Sequence, residues 1–157
     1  TLSMAQKKKD LDEKNGFRDL KFRMTFDSIQ NLNLVEGNAN DLSKWYEKTD
    51  DKLSIGDFEI ESISYGFYRG KLDVIIIRTK GYSNSRGILS IFENQYGKGY
   101  KSNPYMNDYY WFGKNVTLSY DENSITNDAT IIISTNLFEE MKQIDKKAAL
   151  DKAKNEF

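Results

Sequence analysis

Apolar and polar positions along the chain change period several times, and each change marks an element. Phe17, Leu20 and Phe22 begin the patterned part as a short strand. Phe26, Ile29 and Leu32 recur at helical spacing and predict a short helix over residues 26–32, with Thr25 as its N-cap and Met24 and Ile29 at staple positions. Asn31, Asn33, Gly37, Asn38 and Asn40 then break it into a loop. Trp45 and Tyr46 start a β-rich centre, and Asp50-Asp51-Lys52 makes a turn. Phe58 and Ile60 alternate with Glu59 and Glu61, whereas further on the large residues are Ile63, Tyr65 and Phe67; a β-bulge near Ser62 would account for that change of phase. Arg69-Gly70 predicts a hairpin turn between Tyr68 and Leu72. Val74-Ile75-Ile76-Ile77 is apolar on both sides and belongs in the middle of a sheet.

The second half repeats the scheme of a helix followed by strands. Ser83-Asn84-Ser85 supplies N-cap candidates for a helix whose apolar face is Ile88, Leu89, Phe92 and Tyr96, with Gly97 ending it. Residues 109–112 and 116–120 read as paired strands about Gly113-Lys114. Asp121-Glu122-Asn123-Ser124 turns the chain into a final strand over residues 129–134. Asn136 with Glu139 resembles a capping box, and Leu137, Met141, Ile144 and Ala148 recur along a long terminal helix. From Lys146 onward that helix is mostly Ala, Lys and Asp, so its first half is expected on the sheet and its second half in solvent or against another chain. The expected fold is α+β: a mostly antiparallel sheet of about five to seven strands, two helices packed on one face, and a long C-terminal helix. Residues 1–16 read as a flexible leader, 17–136 as the α+β domain and 137–157 as the C-terminal amphipathic helix.

Composition narrows the chemistry. The 157 residues suffice for one core, and 23 basic against 24 acidic residues leave no net field to attract nucleic acid. There is no cysteine and no histidine. Their joint absence removes thiolate nucleophiles, the usual structural zinc sites, the commonest general base and the Ser-His-Asp type of triad. The expectation is therefore a non-enzymatic protein with no catalytic residue, no metal and no cofactor. No run approaches the roughly 20 apolar residues of a membrane-spanning helix. Thr1-Leu2-Ser3-Met4-Ala5 reads as a candidate signal-peptide remnant, with small residues at Ser3 and Ala5. That points to an exported, periplasmic or envelope-associated protein, with a cytoplasmic one as the alternative. Abundant Asn, Lys, Ile and Tyr beside a single Pro fit an AT-rich bacterial coding bias.

Phe17-Arg18-Asp19-Leu20-Lys21-Phe22-Arg23-Met24-Thr25, the hairpin Tyr65-Gly66-Phe67-Tyr68-Arg69-Gly70-Lys71-Leu72, and Gln95-Tyr96-Gly97-Lys98 occur in that order. Together they resemble small exported bacterial domains with a strand, Gly-Met-Ser step and helix opening and a Gly-Lys-Leu hairpin. Such domains are similar to envelope-assembly lipoprotein and inhibitor-like α+β modules. Arg23 stands where their glycine falls, so the turn before the helix is made differently. The resemblance implies a binding or scaffolding module, brings no catalytic residues, and implies another protein, such as an envelope complex, as partner.

The candidate binding residues lie in the aromatic loop 96–112: Tyr100, Tyr105, Tyr109, Tyr110, Trp111 and Phe112, interleaved with Gly99, Asn103, Pro104 and Asn107. Aromatic side chains give large contact area at small entropic cost, which suits a protein partner or, alternatively, a small ligand or glycan stacked on the rings. Alternation over residues 109–112 sends half of them to each face. Met141, Ile144 and Leu150 are the candidate contacts of a partner helix. The acidic set Asp50, Asp51, Asp57, Glu59 and Glu61 lacks the spacing of a calcium loop, and Glu59 with Glu61 reads as a solvated strand face rather than a catalytic pair. Gly97-Lys98-Gly99 lacks the pattern of a phosphate loop, and the sequon Asn115-Val116-Thr117 matters only in a eukaryotic secretory pathway.

Overall fold

The computed structural model describes residues 9–157. A single helical turn, α1 (Leu11–Lys14), leads into a two-residue hairpin, β1 (Gly16–Phe17) and β2 (Leu20–Lys21). Strands β3 (Leu32–Glu36) and β4 (Ser43–Lys48) come next, then a second small hairpin, β5 (Ser54–Ile55) and β6 (Phe58–Glu59). The long pair β7 (Ser62–Tyr68) and β8 (Lys71–Thr79) precedes helix α2 (Gly81–Tyr96). Strands β9 (Asp108–Phe112), β10 (Val116–Glu122) and β11 (Ala129–Thr135) lead to helix α3 (Asn136–Lys154). Seven strands form one antiparallel sheet in the order β3-β4-β7-β8-β11-β10-β9. The fold is thus α+β, as the pattern predicts.

The apolar run Val74-Ile75-Ile76-Ile77 lies in β8, the central strand. Ile75 and Ile77 point to the face covered by α2, where Ile88 and Leu89 are buried against them. Tyr65, Leu118, Tyr120 and Ile131 complete that layer. Arg69 and Gly70 have φ of 52° and 77°, the two left-handed residues that a tight hairpin between right-twisted strands requires. Where β7 meets β8 the register shifts at Gly66/Phe67, and the extra residue, Asp73, is fully buried. Its carboxylate accepts from Arg23 and from Thr135 Oγ1 at 2.9 Å, and Thr135 Oγ1 in turn accepts from Phe138 N–H at the start of α3. Residues 23–25 continue the sheet beside β8 beyond the end of β11, through Arg23 N–H to Leu72 O and Leu72 N–H to Met24 O.

Several expectations change. Over residues 26–32 only Phe26–Ser28 form a 3₁₀ turn, Thr25 makes no side-chain cap bond, and Leu32 opens β3. The face that carries α2 therefore holds one long helix rather than two. The other long helix, α3, lies on the opposite face, where Phe138 packs edge-on against Tyr68 at 5.8 Å. The leader also differs: Leu11 is buried in the core, and Asp12 accepts from the backbone N–H groups of Lys114, Asn115 and Val116 at 2.7–3.0 Å. Residues 11–16 thus belong to the fold, while the signal-remnant reading at residues 1–5 falls outside the described residues. The cap of α2 is Lys80; Ser85 lies inside the helix, hydrogen-bonded to Thr79 at 2.8 Å, and Asn84 accepts from Glu59 N–H. Thr135 rather than Asn136 caps α3, and the Asn136 amide donates to the carbonyl of Lys114 in the β9–β10 turn.

Candidate partner-binding surface

Strands β10 and β11 alternate buried and half-exposed residues, so one sheet face is core and the other is largely open. Cross-strand register arranges the open face in rows. One row runs Trp45, Gly66, Val74, Ser134, Thr117, Phe112, with Gly66 and Val74 buried at its middle. The next runs Ser64, Ile76, Ile132, Ser119, Tyr110. A third, at the far end, runs Ser62, Arg78, Thr130, Asp121, Asp108. Small residues and aliphatic ones occupy the middle, and aromatic rings stand at both sides. Glycine at position 66 is required because a Cβ there would lie 2.8 Å from the Trp45 ring.

The six aromatic candidates divide. Trp111 is 5% exposed, donates from Nε1 to Gly97 O at 2.8 Å and packs against Phe92 of α2; Tyr109 stacks beside it on the same face. Those two rings are core. Tyr110 and Phe112 point the other way, stacked at 5.9 Å with nearly parallel planes, and Phe112 is 67% exposed. Tyr100 joins them, 6.2 Å from Phe112 and paired through its backbone with Tyr110. Tyr105 is 95% exposed and makes no ring contact with this group. Trp45, Ile76 and Ile132 carry no local mark of this surface, because their place in the same rows as Phe112 and Tyr110 depends on pairing between distant strands.

Helix α3 adds to the same side. It has no buried residue; Phe138, Met141 and Asp145 face inward, and Asp145 pairs with Arg69. Leu137 and Ile144 are exposed on the flank next to that contact. At roughly 100° per residue, Leu150 is turned about 120° around the axis from Ile144, so Met141 and Ile144 share one side and Leu150 does not. Every residue of 146–157 is exposed, Leu150 and Phe157 included.

Several carboxylates are committed to the fold. Glu122 is buried and accepts from the Tyr120 hydroxyl at 2.6 Å, Arg86 at 3.2 Å and Asn127 at 3.0 Å. Burial, and then the bond to Glu122, drive the Tyr120 hydroxyl well above its ordinary value. Asp51 takes the Tyr65 hydroxyl at 2.7 Å and pairs with Arg18, Asp50 pairs with Lys48, and Glu61 pairs with Lys80. Glu59 and Glu61 do not share a strand, since β6 ends at Glu59 and Glu61 N–H donates to Arg78 O. Asp108 and Asp121 are the exception: they oppose each other across β9 and β10, and Asp108 Oδ1 is buried without a donor. A hydrogen bond shared with Asp108, then desolvation, then the Asp108 charge push Asp121 up to about 6. Among the described residues no three acidic, histidine or cysteine side chains are grouped to hold a metal ion, and no helix is long and apolar enough to cross a membrane.

These features define an α+β protein with a seven-stranded antiparallel sheet, one face of which is core and the other an open aromatic-edged surface flanked by a projecting helix. No known protein family, curated protein or solved structure matches the chain.

Proposed function

We propose that the protein is a non-enzymatic accessory or adaptor that docks another protein on its open sheet face and the adjoining flank of α3. The carrying observation is α3 itself: a 19-residue helix with no buried residue, whose residues 146–154 are all exposed. A short helical segment without tertiary packing is marginal in water, and a partner covering it would supply the missing burial. The partner is a protein with an apolar surface, because Leu137, Ile144, Phe112 and Tyr110 offer contact area and few charges. Histidine and cysteine are absent from the chain, and the buried Glu122 is already saturated with donors, which supports the non-enzymatic part. An exported, envelope-associated setting belongs to the same proposal and rests on the sequence resemblance.

A photo-cross-linking residue at Tyr110 or at Ile144, in cells that naturally produce the protein, tests the reading. The expected result is one shared protein captured from both positions and absent when the cross-linker replaces Ile125, which is exposed in a turn. Capture that is equal at Ile125, or none at either position, would sink it. The grouping of Tyr100, Tyr110 and Phe112 favours one second reading, stacking on a glycan. In that case a glycan array gives saturable binding that Phe112→Ser removes, and the cross-linkers recover no protein.

A further inference from the structure

On the opposite face, beneath α2, lies a cavity of about 210 Å³. Its walls are apolar: Ile91 and Phe92 of α2, Phe17 of β1, Ile55 of β5, and Val116 and Leu118 of β10. Protein interiors leave few voids larger than a water molecule, and side chains lining an empty one forgo their dispersion contacts. The void does not arise from a loosely seated hairpin. One turn back along α2 the same β5–β6 hairpin packs so closely that a Cβ on Gly87 would lie 2.2 Å from the Phe58 ring. Phe17, Ile55, Ile91 and Phe92 nevertheless stay only half-buried around the gap.

The charged part of the lining is one-sided, with Gln95 and Tyr96 as its neutral polar side chains. Lys14 and Arg18 line the cavity and no carboxylate does. The Arg18 guanidinium is committed, to Asp51 and to the carbonyls of Lys52 and Ser54 at 2.8 and 3.0 Å. Lys14 forms no ion pair among the described residues and donates only to the Arg18 carbonyl. Its ammonium therefore has capacity for an anion at the mouth. Arg18 also ties the β1–β2 turn to β5, so the mouth is framed by two small hairpins that lie outside the main sheet.

We propose that this cavity binds a medium-chain aliphatic carboxylate, its tail among Ile91, Phe92 and Leu118 and its carboxylate at Lys14. The size agrees: apolar cavities of about 150 Å³ take up benzene, so this one holds a tail of roughly six to eight carbon atoms. The site is on the face away from the docking surface, so it stands or falls independently of that reading.

The test is a titration of octanoate, and separately of octanol, into the full chain with labelled isoleucine methyl groups, followed by NMR. The expected result is saturable one-to-one shifts of Ile55, Ile91 and Ile133, with Ile125 unmoved. Lys14→Gln should weaken octanoate about fivefold, a typical exposed ion pair, and leave octanol unchanged. Ile91→Trp fills the void and should abolish both; if circular dichroism shows that it fails to fold, the smaller Ile91→Phe takes its place. Absence of saturable shifts, or binding that persists in the folded filled variant, overturns the cavity. Equal affinity for the two probes, unaffected by Lys14→Gln, overturns the placement of the carboxylate.

Discussion

Replacing Asp121 by asparagine tests whether the Asp108–Asp121 pair shares a proton across the β9–β10 ladder. With both groups ionised, two like charges oppose each other and the buried Oδ1 of Asp108 has no donor. A proton on Asp121 supplies the donor and removes the repulsion, which is why Asp121 is raised from 3.8 to about 6. The native state therefore holds this proton more tightly than the unfolded chain does. Its stabilisation is complete below about pH 4 and is lost as pH rises towards 6. That rise corresponds to at most about 3 kcal/mol, and because Asp121 is exposed, solvent screening reduces the expected effect to about 1 kcal/mol. The substituted amide would carry a permanent N–H donor and no charge. Urea unfolding of both proteins across this range should give nearly equal stability near pH 4, and an advantage of about 1 kcal/mol for Asp121→Asn above pH 7. A difference that does not vary with pH, or a variant less stable at neutral pH, would refute the shared-proton reasoning.

Three further outcomes concern the joints of the fold. Asp73→Ala leaves the Arg23 guanidinium without its partner and removes the Thr135 acceptor, so chemical denaturation should show a loss of about 3 kcal/mol. Asp12→Asn keeps an acceptor but loses the charge-assisted bonds to the turn at residues 114–116, and should cost about 1 kcal/mol with faster amide exchange there. Desolvation raises the Asp12 carboxyl, but those N–H bonds and the Lys114 charge together leave it below its ordinary value; its contribution is thus present at neutral pH and fades as pH falls below about 4. Gly87→Ala puts a methyl group into the Phe58 ring and should cost about 2 kcal/mol, with loss of amide protection confined to the β5–β6 hairpin.

What could be read in the sequence was what depends on neighbours along the chain. The run Val74-Ile75-Ile76-Ile77 could only be central, Arg69-Gly70 could only be a tight turn, and the face of α2 follows from Ile88, Leu89 and Phe92 alone. What was missed depends on partners distant in sequence. Leu32–Glu36 sits among asparagines that look like helix breakers, yet it is a strand because β4 supplies its hydrogen bonds. The change of phase near Ser62 is the gap between β6 and β7, and the true bulge, at Gly66/Phe67, carries no local mark except the unexpected buried Asp73. Asn84 and Ser85 have the chemistry of caps but are engaged by Glu59 and Thr79. The same distinction governs the aromatic loop. Period two shows that Trp111 and Phe112 must part company, but only the position of α2 decides which becomes core. Tyr110 and Phe112 acquire their meaning as a surface from Trp45, Ile76 and Ile132, residues brought into the same face across the sheet by strands β4, β8 and β11. A binding surface spread across a sheet is a property of register, so single-residue patterns expose its rings without exposing the face they frame.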